Sequence, residues 1–476
     1  MNVFLTHSYF YQYDPKQWRN KTPYPPLATI SALALLRKNE IETTFHDVAL
    51  DPSPKECMAL MTKMNPEIVI IYDDGFNYLT KMCLTNMRHA CFEMIKHAKT
   101  LGATVIVSSS DSTDHCALYH EQGADYVLHG EGDQTLLELV KLLTTKESTS
   151  AVSGLSHTPD GKVKKTAPRI NLKALDELPM AAWDAINIER YRTIWAKSKF
   201  PFTLNIATTR GCPFKCNWCA KPIYGNRYNS RSPEHVVREL KHLTTTYKVD
   251  HFWVTDDIFG LKPGWVTTFN KLIQQERLNI HYKIQSRADL LMQDQTIEEL
   301  ASSGLEEVWV GAESGSQKIL DAMDKGTTLD QIKTSTKLLQ SKGVRVAYFL
   351  QFGYLGETKE DIFKTIQMVK NNKPDDIGIS VSYPLPGTKF YDRVKEEMGN
   401  KANWKDSDDL DLMFNGTYSS NYYRTLQRYV HHLFRLQIGW AKVRGVKPHI
   451  SSRYVYLIPY NFALKILLGV QLKFKK

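Results

Sequence analysis

The chain has 476 residues, of which 42% are hydrophobic, and its 61 Lys and Arg against 51 Asp and Glu give a net charge of +10. That length predicts about three domains, and the balance of apolar and charged residues excludes wholesale disorder and fibrous folds. There is no uninterrupted apolar run of about 18 residues and no signal-peptide pattern. The cysteine count is seven, an odd number, which indicates a reducing compartment. We therefore expect a cytoplasmic protein.

Residues 1–145 alternate short apolar segments with helical patterns, which predicts an α/β domain with a doubly wound, Rossmann-like parallel sheet. A ligand is expected at the carboxyl ends of its strands. No G-x-G-x-x-G follows the first strand, which argues against a dinucleotide site. The predicted strands cover residues 2–7, 41–47, 67–72, 104–109 and 126–130, and the predicted helices cover 27–38, 78–99 and 133–143.

The composition changes in the middle of the chain, and the alternation of strand and helix patterns then resumes. Residues 144–170 are rich in Ser, Thr, Lys and Gly, and a Pro-Asp-Gly turn predicts a small hairpin inside a linker over 146–195. Six further strands separated by helices favour a partial (β/α)6 TIM-type barrel over 196–395, although the pattern alone does not exclude a second open sheet. Apolar residues at helical spacing predict that residues 396–476 form a helical region. The six strands are predicted at 203–208, 251–255, 282–285, 307–311, 344–349 and 377–382.

The most informative motif is RGCPFKCNWC at residues 210–219, directly after the first of these six strands. Thiolates are the usual iron–sulfur ligands, and three close cysteines leave one iron of a four-iron cluster open to a small molecule. Zinc sites prefer paired C-x2-C spacings. The motif thus predicts a 4Fe-4S cluster on Cys212, Cys216 and Cys219. Three unrelated thiols, or a zinc ligand set completed elsewhere, are the alternatives.

The C-x3-C-x2-C motif with an aromatic residue before its third cysteine resembles the radical S-adenosylmethionine (SAM) superfamily. The domain at 1–145, with Gly130-Glu131-Gly132 and the linker, resembles the subgroup with an N-terminal cobalamin-binding domain, and the resemblance covers about residues 1–395. It implies that the open iron binds SAM and that reductive cleavage gives methionine and a 5′-deoxyadenosyl radical. The radical takes a hydrogen atom from the substrate. The electron comes from an external donor of the flavodoxin or ferredoxin type.

The resemblance also implies roles for residues near the first two barrel strands. Trp218 would lie beside the adenine of SAM, with plain loop packing as the alternative. Asp256 and Asp257 stand where the superfamily often has Gly-Gly-Glu for the amino group of SAM. A carboxylate there supplies the same electrostatic contact, whereas helix capping is the competing explanation for Asp257.

Later strand ends supply further implied SAM contacts. Ser286 and Arg287 end the third strand, and Arg287 would reach the SAM carboxylate unless it forms a surface ion pair. Glu313 resembles the residue that accepts from the ribose hydroxyls, because a carboxylate can accept from both. Gly353 and Gly356 would let the backbone approach the adenine, although turns use glycine freely.

Cobalamin is expected on the strand ends of the N-terminal domain. The D-x-H-x-x-G motif that supplies an axial histidine in many cobalamin proteins is absent, so we predict that no protein imidazole ligates cobalt. His7 and His46 are interpreted as fold residues. The candidate cobalamin contacts are Pro25, Pro26, Ser108, Ser109, Gly130, Glu131 and Gly132.

The predicted function is that of a cobalamin-dependent radical SAM C-methyltransferase, which methylates an unactivated carbon of a small-molecule or lipid-like substrate. One alternative is radical cyclisation or oxidation, as in anaerobic tetrapyrrole ring formation. A second is a methylthiotransferase, which would hold another cluster on N-terminal cysteines. A third is a non-catalytic iron–sulfur sensor. The N-terminal cysteines are Cys57, Cys83, Cys91 and Cys116.

The positive charge lies at one end of the chain. Residues 412–476 contain 11 Lys and Arg and no Asp or Glu, so the rest is near neutral and nucleic-acid binding is not predicted. Aromatic and aliphatic residues are mixed with this charge. They suit an interfacial helix on the inner face of an anionic membrane, or a cap helix packed on the barrel with a solvated basic face.

Overall fold

The computed structural model describes residues 1–76, 85–221, 223–399, 410–445 and 451–474. The start of the helix predicted at 78–99 lies outside these residues, and so does Cys83. The chain divides into two compact units. Unit 1 comprises Met1–Pro213 and Lys221–His281, and unit 2 comprises Phe214–Ala220 and the described residues from Tyr282 onward.

Unit 1 begins with the predicted parallel sheet. Its first five strands are ordered β2-β1-β3-β4-β5 and all pair in parallel, which confirms the doubly wound prediction. Every residue of β3 is buried, as expected for a strand covered on both faces. The bounds are β1 Val3–Thr6, β2 Thr43–Phe45, β3 Ile68–Tyr72, β4 Thr104–Ser108 and β5 Tyr126–Leu128.

Helices flank this sheet in two packed pairs, α2 with α7 and α3 with α4. Several start signals are local: Asp14 caps α1 and Ser53 caps α3, and each helix has Pro at its first position. The bounds are α1 Pro15–Asn20, α2 Leu27–Lys38, α3 Pro54–Met64, α4 Thr85–Thr100, α5 Ser110–Asp114, α6 Cys116–Glu121 and α7 Asp133–Thr145.

The predicted hairpin forms, as β6 Leu155–His157 and β7 Lys164–Lys165, and it also contacts the N-terminal sheet. β6 pairs antiparallel with β5, so the hairpin extends the sheet to seven strands. It satisfies the backbone groups that β5 would otherwise expose as an edge strand. The next helix, α8 Ile188–Trp195, is also attached to the N-terminal part of unit 1, because the Tyr191 hydroxyl donates to Asp47 Oδ2 at 2.7 Å.

The six predicted barrel strands are all present as parallel strands, which confirms the partial (β/α)6 barrel. Unit 1 holds β8 Thr203–Ile206 and β11 His251–Val254, paired in parallel, with α9 Pro233–Tyr247 and α10 Trp265–Gln275. Between them, β9 Thr209–Arg210 and β10 Asn229–Ser230 pair antiparallel across the two ends of the cysteine loop.

Unit 2 contributes the other four strands, and β13, β14 and β15 each pair in parallel with the strand before. The Thr328 and Thr358 side chains form capping boxes on α14 and α15. The bounds are β12 His281–Ser286, β13 Leu305–Glu313, β14 Arg345–Phe352, β15 Asp376–Val381, α11 Ala288–Leu291, α12 Thr296–Ser302, α13 Gln317–Ala322, α14 Leu329–Ser341, α15 Lys359–Asn372 and α16 Lys389–Val394.

The C-terminal region of unit 2 is helical, as predicted, with α17 Ser420–Val443, α18 Arg453–Tyr456 and α19 Ile458–Phe474. α17 packs closely against α19, since a Cβ atom on Gly439 would lie 2.9 Å from Cγ1 of Ile458 at the start of α19. Buried His432 and Asn461 also join the two helices, with 2.7 Å between Nδ1 and Oδ1. Among the described residues, no helix is long and apolar enough to span a membrane.

Candidate active site

Asn217 fixes the part of the cysteine loop that belongs to unit 2. Its buried side chain donates to the Ala322 carbonyl oxygen at 2.7 Å, and its Oδ1 atom accepts from the Tyr354 hydroxyl at 2.7 Å. Its backbone N–H donates to Met323 O and its backbone oxygen accepts from Phe390 N. Cys216 and Cys219, on either side of this anchor, are half-buried. Sequence reasoning assigned no role to Asn217 or Tyr354.

Arg287 lies next to the Cys216 thiol. Its Nη1 atom is 3.9 Å from Cys216 Sγ and donates to the Lys325 carbonyl oxygen at 2.8 Å. Its other two nitrogens donate to the Asp289 carboxylate at 3.0 and 3.1 Å, and its guanidinium stacks 3.8 Å above the Phe214 ring. The planar guanidinium of Arg287 has five N–H donors and can bond to several acceptors in different directions at once. The single ammonium group of a lysine could not make the same set of contacts. Ser286, the residue before it, is buried.

Glu313 and Lys325 form a buried ion pair in the same unit. Lys325 Nζ lies 2.8 Å from Glu313 Oε1. Burial opposes the charge of Lys325, but Glu313 and the Cys216 sulfur outweigh it and raise the pKa of Lys325. Glu313 has a φ of +53°, at a register shift of β13 against β14. A non-glycine residue held in this region is characteristic of functional sites. Lys325 carried no recognisable signal in the sequence.

Asp256 holds the end of β8 in unit 1. Its Oδ1 atom accepts from the backbone N–H groups of Thr208 and Thr209 at 2.7 and 3.0 Å, and its Oδ2 atom accepts from the Thr208 hydroxyl. Burial raises the pKa of Asp256 to about 6 despite these bonds. Both of its oxygens therefore orient the strand end that leads into the cysteine loop. Asp257, the next residue, is half-buried.

Arg210, two residues before Cys212, ties the start of the cysteine loop to the N-terminal sheet within unit 1. Its Nη1 atom pairs with Glu131 and lies 2.9 Å from Asp133 Oδ2. All three side chains are buried, and the guanidinium also lies 5.3 Å from the Tyr224 ring centroid. Burial is the largest influence on Glu131 and raises its pKa, although Arg210 opposes the shift.

The end of β3 in the N-terminal sheet also carries a polar anchor. Asp74, just after β3, accepts from the backbone N–H groups of Leu27 and Ala28, both at 3.2 Å, and so fixes the helix start that follows Pro25 and Pro26. Burial raises the pKa of Asp74 to about 6. A carboxylate directly after a buried strand was a readable signal that the sequence prediction missed.

The serine and glycine candidates lie at the ends of β4 and β5. Ser109 caps α5, because its Oγ atom accepts from Ser112 N at 2.8 Å. A Cβ atom on Gly132 would lie 3.0 Å from both Ser108 Oγ and Tyr72 Oη, so this turn leaves no room for a side chain. Gly130 has a φ of +68°, which glycine adopts without strain. The structure thus brings these candidates to one edge of the sheet.

Gly353 ends β14 against the C-terminal helices. It has a φ of +78°, and a Cβ atom there would lie 3.2 Å from Cζ of Tyr423 on α17. Its N–H donates to Glu357 Oε2 at 2.7 Å. The Glu357 side chain is fully buried, and this burial raises its pKa to about 8.

Trp218, in the cysteine loop, is half-buried, and its indole N–H has no acceptor among the residues that the structure describes.

Three N-terminal cysteines and two histidines lie among the packed and hydrogen-bonded residues of the described N-terminal sheet and its helices. Cys57, Cys91 and Cys116 are buried in the core beside β1, β3 and β4, where burial raises the pKa of Cys57 to about 12 and also raises that of Cys91. His7 and His46 lie 3.0 and 2.7 Å from the carboxylates of Asp47 and Asp51. These contacts are consistent with their interpretation as fold residues.

The donor set of the cysteine loop fits an iron–sulfur cluster. Within the described ranges, no three His, Cys, Asp or Glu side chains are grouped as around a single metal ion. This is compatible with a four-iron cluster, because each thiolate there binds a different iron. Two half-buried thiols and a cationic donor beside Cys216 suit the negative charge of such a cluster.

Comparison with known proteins agrees with this site. Residues 206–369, which contain the cysteine loop and four of the barrel strands, match the model of the radical SAM superfamily. The chain is 26% identical over 390 residues to an uncharacterized methyltransferase of Pyrococcus horikoshii, covering 81% of this chain and 82% of that protein. It is 27% identical over 286 residues to the anaerobic magnesium-protoporphyrin IX monomethyl ester cyclase of Rubrivivax gelatinosus, covering 58% of this chain and 50% of that protein.

The fold is similar to that of a solved enzyme. The radical SAM methyltransferase TsrM of Kitasatospora setae, with cobalamin and a [4Fe-4S] cluster bound, superposes with a TM-score of 0.70 at 18% identity. The match covers 85% of this chain and 76% of that one. Together, the cysteine loop, the parallel barrel strands and the family match identify residues 206–369 as a radical SAM domain, in a chain whose fold is that of a solved radical SAM methyltransferase with cobalamin and a [4Fe-4S] cluster bound.

Proposed function

We propose that the chain is a cobalamin-dependent radical SAM methyltransferase that acts on carbon in a small-molecule or lipid-like substrate. The observation that carries the proposal is the cysteine loop, in which Cys216 lies beside Arg287 and Asn217 is anchored by five hydrogen bonds. The relatives support methyl transfer, since the Pyrococcus protein and the solved enzyme are both methyltransferases.

The proposed cluster ligands are Cys212, Cys216 and Cys219. Asn217 fixes the backbone between the last two ligands. Arg287 and Lys325 place two positive charges next to Cys216, which favours the negatively charged reduced cluster and sets its potential. Rigid anchoring of the loop also limits the reorganisation needed when an electron enters.

SAM binding is proposed at the neighbouring strand ends. Glu313 has one carboxylate oxygen on Lys325, which leaves the other oxygen to accept from a ribose hydroxyl. Arg287 has most of its donors on Asp289, Lys325 and Gly326, so its positive charge, more than a direct bond, would attract the SAM carboxylate. Asp256 acts mainly by holding the end of β8.

Cobalamin is proposed on the strand-end edge of the N-terminal sheet. The small Gly130 and Gly132 and the buried polar groups of Ser108 and Glu131 suit a large polar cofactor there. His7 and His46 are engaged by carboxylates and the D-x-H-x-x-G motif is absent, and we propose that no protein imidazole ligates cobalt. A spectrum of the bound cofactor with histidine nitrogen on cobalt would contradict it.

When bound, the cofactors supply one-electron cleavage of SAM, hydrogen-atom transfer to the 5′-deoxyadenosyl group and a methyl group on cobalt. Each methylation then consumes two SAM molecules and two electrons, and it yields one methionine, one 5′-deoxyadenosine and one S-adenosylhomocysteine. The second SAM would supply the methyl group that the substrate receives. Electrons come from an external donor of the flavodoxin or ferredoxin class. The protein orients these groups and excludes water and oxygen.

The test is anaerobic product counting with the reconstituted enzyme, SAM, a reductant and candidate substrates. Matched amounts of 5′-deoxyadenosine and S-adenosylhomocysteine support methylation. Deoxyadenosine alone would overturn methyl transfer in favour of radical cyclisation or oxidation, the reaction class that the likeness to the Rubrivivax cyclase favours. A loaded cluster that never cleaves SAM would identify a sensor.

Iron content tests the ligand assignment. We expect about four irons per chain in the wild type, a large loss in Cys216→Ala, and no loss in the control Cys91→Ala, whose thiol is buried in the core. About eight irons per chain would reveal a second cluster, as in a methylthiotransferase.

A further inference from the structure

The outer side of α19 carries an exposed apolar face. Phe462, Ile466 and Leu467 are 54%, 52% and 53% exposed, and Val470 is exposed to a similar degree. These residues are spaced by three or four positions with Pro459 and Ala463, so they share one side of the helix. A surface helix of a soluble protein normally has the opposite arrangement, with polar residues on its exposed side.

The inner side of the same helix is already packed within unit 2. Leu468 and Asn461 are buried, and a Cβ atom on Gly469 would lie 3.3 Å from the Tyr429 ring. Because the inner side of α19 is already packed, a small rotation of the helix would not bury its outer face. At the other end of the helical hairpin, Trp440 and Tyr456 are also exposed. Aromatic residues of this kind are enriched at membrane–water interfaces.

The charge around this face has one sign. Residues 412–476 contain 11 Lys and Arg and no Asp or Glu, and Arg444, Arg453 and Lys473 are exposed near the ends of the helices. Two copies of so basic a face repel each other, which argues against a symmetric dimer here. A nucleic acid would not cover exposed Phe, Ile and Leu side chains. An anionic lipid surface matches both the apolar residues and the positive charge.

We propose that the outer face of α19 docks this enzyme peripherally on an anionic lipid bilayer. A helix of 17 residues is about 25 Å long, shorter than the hydrocarbon core of about 30 Å. α19 therefore lies in the plane of the interface, with its apolar face among the acyl chains and the basic residues at the headgroups. Such docking would give the active site access to lipid-like substrates, and this last point alone depends on the proposed function.

The experiment is co-sedimentation of the full-length protein with phosphatidylcholine vesicles that do or do not contain phosphatidylglycerol. We expect binding to the anionic vesicles that weakens with salt. The double variant Phe462→Ser/Ile466→Ser should reduce the binding constant about tenfold or more, since it removes two half-exposed apolar side chains from the buried area. Arg453→Gln/Lys473→Gln should also weaken binding, but only to anionic vesicles.

The matched control is Phe363→Ser on α15, whose side chain is 57% exposed outside this face. It should bind vesicles like the wild type. No binding by the wild type, or equal binding by the Phe462→Ser/Ile466→Ser variant, would overturn the proposal. So would a dimer in solution that this variant dissociates, because the face would then be an interface between copies. Iron content and SAM cleavage are unaffected by these variants, so failure of docking is distinguishable from failure of the proposed chemistry.

Discussion

The Nη1 atom of Arg287 lies 3.9 Å from the Sγ atom of Cys216, and the guanidinium is held there by Asp289 and two carbonyl oxygens. The two residues are 71 positions apart in the sequence. A fixed cation at this distance changes the energy of adding an electron to a cluster bound by Cys216. The contact therefore links the fold of the barrel to the redox chemistry of the proposed site.

Replacing Arg287 by Gln should lower the reduction potential of the reconstituted cluster. Loss of one positive charge beside Cys216 disfavours the reduced state, by a shift on the order of 50–100 mV for partly buried charges. The measurement is a redox titration followed by electron paramagnetic resonance. Arg287→Lys keeps the charge and serves as the control. An equal shift in both variants would contradict an electrostatic role and point to lost packing.

Asn217→Ala should destabilise the cysteine loop. The substitution removes the hydrogen bonds of the Asn217 side chain to the Tyr354 hydroxyl and the Ala322 carbonyl oxygen, which then keep only their bond to each other, at a cost of roughly 1–3 kcal/mol. We expect a lower midpoint in urea and faster loss of iron from the cluster. Tyr354→Phe removes only one of the Asn217 hydrogen bonds, together with the bond from the Tyr354 hydroxyl to Ala322 O, and should leave the rest of the anchor in place at a cost of about 1–2 kcal/mol. Iron retention in Asn217→Ala equal to that in the wild type would refute the anchoring role.

Glu357 should make stability depend on pH. Burial raises its pKa from 4.5 to about 8, so the folded state binds the proton more tightly than the unfolded state does. This contribution is fully present below about pH 4.5 and is lost as the pH rises to about 8. It amounts to a few kcal/mol.

Urea unfolding across this pH range tests the effect against Glu357→Gln, which is neutral at every pH and keeps the shape. The variant should lose less stability than the wild type as the pH rises. Parallel curves for the two proteins would show that Glu357 does not change its protonation on unfolding.

Arg210→Met should be strongly destabilising, because it leaves Glu131 and Asp133 buried without a counter-charge. Breaking a buried ion pair from one side costs roughly 3–5 kcal/mol. The triple variant Arg210→Met/Glu131→Gln/Asp133→Asn removes the stranded charges and should recover part of the loss. The free energy of unfolding measures both effects. If the triple variant were less stable than Arg210→Met, the ion-pair explanation would be wrong.

Most of the secondary structure was predictable because its signals are local. α2 covers residues 27–38 as predicted, and all six barrel strands were found within a few residues. β14 runs to Phe352, three residues beyond its predicted end, because its pairing with β15 continues to Val381. The hairpin was also readable, but its attachment to β5 depended on a sheet edge that no local pattern describes.

The candidate site was predictable only in part, for a related reason. The spacing of Cys212, Cys216 and Cys219 is local, so the sequence alone indicated the cluster ligands and the superfamily. The side chains next to Cys216 come from strand and helix ends that are distant in the sequence. No sequence pattern distinguishes Lys325 from other lysines, and only the fold shows that it is buried beside Glu313. Asn217 lies inside the motif, yet an amide between two cysteines indicates nothing until the positions of its five hydrogen-bond partners are known.

The sequence by itself thus determined the thiol ligands, the alternation of strands and helices, and the basic character of the C-terminal region, since each depends on residue type and short spacing. Only the tertiary structure decided which charges surround Cys216 and which side of α19 faces solvent. α19 has apolar residues on both sides, so its periodicity could not select the covered one. Packing of Leu468 and Gly469 against α17 made that choice and left Phe462, Ile466 and Leu467 exposed.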